Sequence, residues 1–187
     1  MSIGDGLEPV AVRPAATVML LRDAAAGGGK GEAGRSTIMS SSRPSVLEVF
    51  LMRRHGAMEF AAGMTVFPGG GVDERDLEAG LAGNRAWYVP DPAWWAERFG
   101  IQADLAEALV CAAARETFEE SGVLFAGPAN DPDGIVSDAS AYHQARAALE
   151  DRSLSFADFL RSESLVLRAD LLRPWSNWVT PEEERTR

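Results

Sequence analysis

Arg115, Glu116, Glu119 and Glu120 fall within the stretch Arg115-Glu116-Thr117-Phe118-Glu119-Glu120-Ser121-Gly122-Val123. On a helix the three glutamates stand at i, i+3 and i+4, so their carboxylates share one face. Each like-charged pair there costs about 0.2–0.5 kcal/mol unless a positive group intervenes. Arg115 reaches Glu119 one turn on, yet one guanidinium cannot neutralise three carboxylates. An oxygen-lined cluster of this kind suits Mg2+ or Mn2+. Glu116 and Glu120, one turn apart, are the first choice of metal ligands. Glu119 is open between two roles, a further ligand or the base that orients and deprotonates water. With an unperturbed pKa of about 4.3 it is a weak base at neutral pH unless a metal has already acidified that water. Arg115 is expected to orient a glutamate rather than bind substrate.

These residues need a helix to carry them, and the sequence reads as one from Leu105 to Ser121. Asp104 and Glu107 form a capping-box-like start, and Gly122 suits the left-handed residue at the end. Leu105, Leu109, Val110 and Ala113 are expected to face the core. Upstream, Phe67-Pro68-Gly69-Gly70-Gly71-Val72-Asp73 follows a short strand at Met64–Phe67. The run Gly69, Gly70, Gly71 lets backbone groups approach a metal-bound phosphate closely, or is a plain turn.

Taken together these two segments resemble the Nudix hydrolase superfamily. Its box reads G-x5-E-x7-R-E-U-x-E-E-x-G-U, with U a bulky apolar residue. Glu107 to Val123 matches the second half, with Thr117 standing where a larger aliphatic is usual. Phe67–Gly70 resembles the entry to the first half. Gly70 and Arg115 are 45 positions apart where the motif has 14, so 31 residues interrupt the box. This layout, with Arg-Glu-Thr-Phe-Glu-Glu-Ser-Gly-Val-Leu, is similar to a branch whose vertebrate members are peroxisomal coenzyme A diphosphatases. Coenzyme A-cleaving relatives also carry R-[SA]-x3-R-x3-G-x3-F-P-G-G. Arg54, Gly63 and Phe67–Gly70 fit it, while His55 and Glu59 replace its small residue and second arginine. Arg54 is therefore read either as a substrate contact or as a solvated strand end.

The resemblance implies a Nudix-like α/β/α sandwich around a mixed sheet, carrying a helical insertion at about 74–103, in one domain over 1–187. It implies metal-dependent hydrolysis of a diphosphate in a nucleoside diphosphate derivative. Coenzyme A or its thioesters lead, followed by ADP-ribose, dinucleotides or nucleotide sugars. Arg115, Glu119 and Glu120 are the catalytic candidates, and Arg54, Gly69, Gly70 and Gly71 the substrate-binding ones. Metal binding falls to Glu116, Glu119 and Glu120, and Glu107 reads equally as a helix cap or as a residue near the metal. A homodimer and a non-catalytic ligand-binding module stay open.

Composition narrows the partners. A chain of 187 residues, 46% hydrophobic, is long enough for one domain with a real core. A net charge of −10 argues against nucleic-acid backbone and anionic membrane as partners, leaving a small nucleotide-type substrate whose field is set locally. The single Cys111 forbids an internal disulfide, and with only His55 and His143 there is no zinc-spaced cluster. A reducing compartment follows, and the cytoplasm is expected. No secretory signal, membrane span or C-terminal peroxisomal tripeptide is visible.

Along the chain, Ala15–Arg22 is expected as one well-buried strand, and Asp23–Ser45 as a loop. Gly27-Gly28-Gly29-Lys30 inside that loop is no phosphate loop, because Gly31 replaces the required Ser or Thr. Val46–Arg53 reads as β, and Asp91-Pro92 starts a helix ended by Gly100. The insertion's Trp87, Tyr88, Trp94, Trp95 and Phe99 are a packed cover or a grip on a base or acyl chain. Beyond the box, Val123–Ala126 reads as a strand. Ala139–Leu149 and Phe156–Ser162 read as helices, with His143 structural. Leu165–Leu172 is apolar, and Pro174–Pro181 reads as a strand with aromatic anchors. The branch it resembles continues past such a segment, so a C-terminal part is expected to be missing.

Overall fold

The computed structural model describes residues 11–24, 46–53, 64–131 and 133–181. It divides into two compact units, Val18–Pro68 and the remainder.

In the larger unit, β1 (Ala15–Thr17) pairs antiparallel with β6 (Gly69–Gly71), Ala16 opposite Gly70. A one-turn helix α1 (Glu74–Leu77) follows directly, capped by Asp73, whose own N–H donates back to the Asp76 carboxylate. The chain then runs through β7 (Trp87–Tyr88), α2 (Pro92–Phe99) and α3 (Ala103–Ser121). Next come β8 (Ala126–Pro128), α4 (His143–Glu150), α5 (Phe156–Ser162) and β9 (Leu165–Arg168). β9 is central in a mixed sheet, parallel to β7 and antiparallel to β8. Its four residues are buried throughout, as a strand covered on both faces should be.

α3 carries the box, and its packing departs from the expected single apolar face. Ala106, Ala108, Val110, Cys111, Ala112, Ala113 and Ala114 are all buried, so the helix is enclosed on nearly every side. Small side chains permit this close approach, while Leu105 and Leu109 are only half-buried. Thr117 is fully buried because its hydroxyl donates to the Ala113 carbonyl at 2.7 Å, leaving its methyl to pack. Phe118 stacks on Phe159 of α5 at 5.6 Å between centroids, and Tyr142 and Phe156 complete that cluster. Each such fully buried ring contributes about 1.5–3 kcal/mol of burial.

Helix ends came out unevenly. α2 has its Asp91 cap, with Asp91 accepting from Ala93 N–H at 2.8 Å, and a left-handed Gly100. α3 ends at a left-handed Gly122. Its start is different from the expected capping box: Gln102 is the N-cap, without a side-chain bond, and Asp104 lies inside the helix. Glu107 accepts instead from the Ala82 N–H at 3.1 Å, so a long-range partner has taken the carboxylate. The insertion's aromatics pack: Trp95 is 2% exposed, edge-on to Trp94 and beside Phe99, with α2 lying on α3. Ser155 caps α5, its hydroxyl accepting from the Asp158 N–H at 3.1 Å. The Val123–Ala126 strand is displaced to β8, and the helix expected from Ala139 begins as a 3-10 turn at Ser140–Tyr142 before α4. Residues 174–181 form neither strand nor helix, and Trp175 and Trp178 are exposed.

The smaller unit consists of two antiparallel pairs. β2 (Leu21–Asp23) runs against β3 (Leu47–Val49), and β4 (Met52–Arg53) against β5 (Thr65–Val66). The expected continuous strand over 15–22 is thus broken into β1 and β2, and of its apolar residues only Val18 is buried while Leu21 is exposed. Among the described residues no helix is long and apolar enough to cross a membrane.

Candidate active site

Arg115 is the hub of the site. Its Nε and Nη2 donate to the two oxygens of Asp76 at 3.0 and 2.8 Å, a bidentate pair in which both side chains are almost wholly buried. Nη2 also donates to the Gly71 carbonyl at 3.0 Å, while Nη1 donates to Glu116 at 2.8 Å and to Glu119 at 3.2 Å. A guanidinium has five N–H groups, and these contacts engage all of them. Arg115 therefore orients Glu116 and Glu119 and has no donor left for a ligand. Burial works against its charge, but the bonds it donates to Asp76 and the carboxylates around it outweigh burial and raise its pKa.

Asp76 was not among the residues singled out above. The sixth position on from Gly70, with five residues between, is Asp76, whereas counting eight positions back from Arg115 lands on Glu107. The two counts diverge because the box is interrupted, and the structure gives Arg115 to Asp76. Asp76 also accepts from the Asp73 N–H at 2.9 Å, so the α1 cap and the guanidinium share one carboxylate. Cys111 donates its thiol to the same group at 3.5 Å. Burial, with Asp76 beside it, pushes that thiol's pKa well up, which fits packing rather than nucleophilic chemistry.

The glycine strand supports two of the three glutamates. Glu120 accepts from the Gly69 N–H at 2.7 Å. Glu116 lies against Gly70, where an added Cβ would come within 2.5 Å of its carboxylate. At Gly71 a Cβ would meet nothing within 4 Å, and its contribution is the carbonyl that Arg115 holds. Glu119 is braced from behind, as Arg146 of α4 donates to its backbone carbonyl at 2.8 Å. Burial raises the Glu119 pKa, opposed by Arg115.

Glu116, Glu119 and Glu120 offer the hard oxygen donors that Mg2+ or Mn2+ prefers, and β6 is bare enough to let a carboxylate lie on it. Two of those carboxylates are turned to Arg115 and the third to Gly69, and among the described residues no three acidic, His or Cys groups converge on one point. The donor set fits a divalent cation by its chemistry. Beside it opens a polar cavity of about 380 Å³, lined by Gly71, Val72, Asp73, Glu74, Arg115, Glu116 and Arg152. His143 lines a separate cavity with Phe118 and Leu124, to which none of the three glutamates contributes. Arg54 lies outside the described residues, as do His55, Glu59 and Gly63.

Fold and box define the class by resemblance: both are similar to those of the Nudix superfamily. A crystal structure of a Nudix hydrolase from Alicyclobacillus acidocaldarius superposes with a TM-score of 0.65 at 26% identity, over 94% of this chain and 65% of that one. More particularly, the chain is similar to the acyl-coenzyme A diphosphatase NUDT19 of Xenopus laevis, 26% identical over 159 residues that span 72% of this chain and 42% of the frog protein. The chain thus spans less than two thirds of the length of either relative. No protein-family model matches it.

Proposed function

We propose that the chain is a metal-dependent hydrolase of the diphosphate linkage in a nucleoside diphosphate derivative, with coenzyme A or an acyl-coenzyme A as its substrate. The observation that carries this reading is the Arg115 hub, which fixes Glu116 and Glu119 beside Glu120 and a glycine strand. The substrate choice draws support from the frog relative, an acyl-coenzyme A diphosphatase, and from the interrupted box.

In this reading Glu116 and Glu120 hold Mg2+ or Mn2+, and Glu119 is either a further ligand or the base. Bound there, the cation supplies charge for the phosphate oxygens and acidifies water. As the base, Glu119 accepts the proton of water that the cation has already acidified. Arg115 holds that carboxylate in place, while Gly69 and Gly70 seat Glu120 and Glu116 and the open side of Gly71 admits the phosphate chain. The cytoplasm, a reducing compartment, accords with the single free, buried Cys111. A homodimer is read out by sedimentation.

A second reading is a module that binds such a ligand without cleaving it. It is favoured by the carboxylates being turned to Arg115 and Gly69 rather than to one another. The test is product release from coenzyme A, acetyl-coenzyme A, ADP-ribose and NADH with Mg2+, Mn2+ or chelator. Chelator-sensitive release of 3′,5′-ADP from coenzyme A supports the first reading, while preference for ADP-ribose or NADH moves the substrate within the class. Binding without release by the folded chain supports the second. Glu120→Gln is expected to cut turnover at least 100-fold with an unchanged melting temperature.

A further inference from the structure

The polar cavity beside Glu116 holds two guanidinium groups, and only one is committed to carboxylates. Arg115 has every donor engaged. Arg152 is different: its side chain is 77% exposed, and its nearest acid is Asp73, at 3.9 Å. At that distance and exposure the pair contributes little, so the charge is available to a ligand.

Its placement is built by the fold. Arg152 follows α4 in the turn to α5 and adopts a left-handed φ of 65°, a conformation that disfavours a side chain with a Cβ. The turn is fastened from the site itself. Arg75 of α1 donates through Nη1 to the carbonyls of Arg152 and Leu154 at 2.9 and 3.1 Å. Arg75 is held in turn by Asp73, through Nε to Oδ1 at 3.0 Å and Nη2 to Oδ2 at 3.2 Å. One residue with backbone strain, two fastened carbonyls and an exposed guanidinium at the rim of the glutamate cavity are more than a turn requires.

We propose that Arg152 binds a non-bridging phosphate oxygen of the diphosphate, supplying the positive charge that Arg115 cannot. This deepens the hydrolase reading and rests on it for the identity of the substrate, but the phosphate contact stands or falls independently of turnover. A guanidinium suits the role because it presents a fork of donors matched to phosphate oxygens.

The probe is inorganic pyrophosphate, titrated calorimetrically in excess Mg2+ into the chain and into Arg152→Gly, Arg152→Lys and Arg161→Ala. Glycine suits the positive φ, so Arg152→Gly is expected to melt at or above the parent temperature while its pyrophosphate affinity falls at least tenfold. Lysine is expected to restore part of that loss, and Arg161→Ala, on the exposed face of α5, none of it to be lost. Unchanged affinity in Arg152→Gly overturns the proposal, and so does a parent chain that binds no pyrophosphate. Arg152-dependent binding without cleavage of any nucleotide would sink the hydrolase reading and leave the phosphate contact standing.

Discussion

Asp76 is 3% exposed and takes two bonds from a guanidinium that is itself 7% exposed. Neither charge has water to fall back on, so removing one strands the other. Asp76→Ala is expected to cost about 3 kcal/mol, read as a lower urea midpoint at constant slope. It is also expected to lower turnover, because Glu116 and Glu119 lose the group that aims them. The glutamates and Arg115 were legible in the sequence, since helical spacing alone puts them on one face. Asp76 was hidden by the interruption, which lets Glu107 satisfy one half of the motif while the true partner satisfies the other. Arg152 left no sequence signal at all, because nothing about an arginine in Asp151-Arg152-Ser153 announces a left-handed turn fastened from 77 residues away.

Adjacent glycines of β6 do different jobs, and substitution separates them. At Gly69, φ is +154° and an added Cβ would lie 2.3 Å from the Ala16 carbonyl oxygen of β1, so backbone must move. Gly69→Ala is expected to destabilise by about 1–3 kcal/mol and to break the β1–β6 pairing, visible in melting and amide exchange. At Gly70 the colliding atoms are the tip of Glu116, which can swing aside. Gly70→Ala is therefore expected to keep its melting temperature within a few degrees and lose activity. Element by element, what was written locally was read correctly: Asp91, Pro92 and Gly100 bound α2, and Gly122 ends α3. What depended on distant partners was not. Glu107 leaves its own helix start for the Ala82 N–H, and the 15–22 run splits because its halves pair with different strands.

The described residues of the site all belong to the larger unit, and that unit's acid response follows from its ion pairs. The bonds from Arg75, side chain and then backbone, aided by the charges of Arg75 and Arg152, lower the Asp73 pKa from 3.8 to about 2. A depressed carboxylate stabilises the fold above its unfolded value and loses that stabilisation as pH falls through the folded one. Glu119 has the opposite sign. Its raised pKa lets the folded state take up a proton first, so mild acidification relieves its burial. With chelator present, stability is expected to rise as Glu119 protonates and then fall between about pH 4 and pH 2. Asp73→Asn should flatten the second limb, and urea midpoints across pH would show it.

Asp76 and Arg115 are 39 positions apart in the chain and joined by two hydrogen bonds, with Glu107 and Ala82 tied inside that span. Once both ends of a connection are anchored, its length is thermodynamically cheap: each doubling adds only about 0.6 kcal/mol of closure entropy. The exposed turn at Gly83 and Asn84 is therefore a port. A fluorescent or affinity tag could be spliced into the interior of the sequence there, rather than at an end, with the glutamates and their arginine still meeting as before.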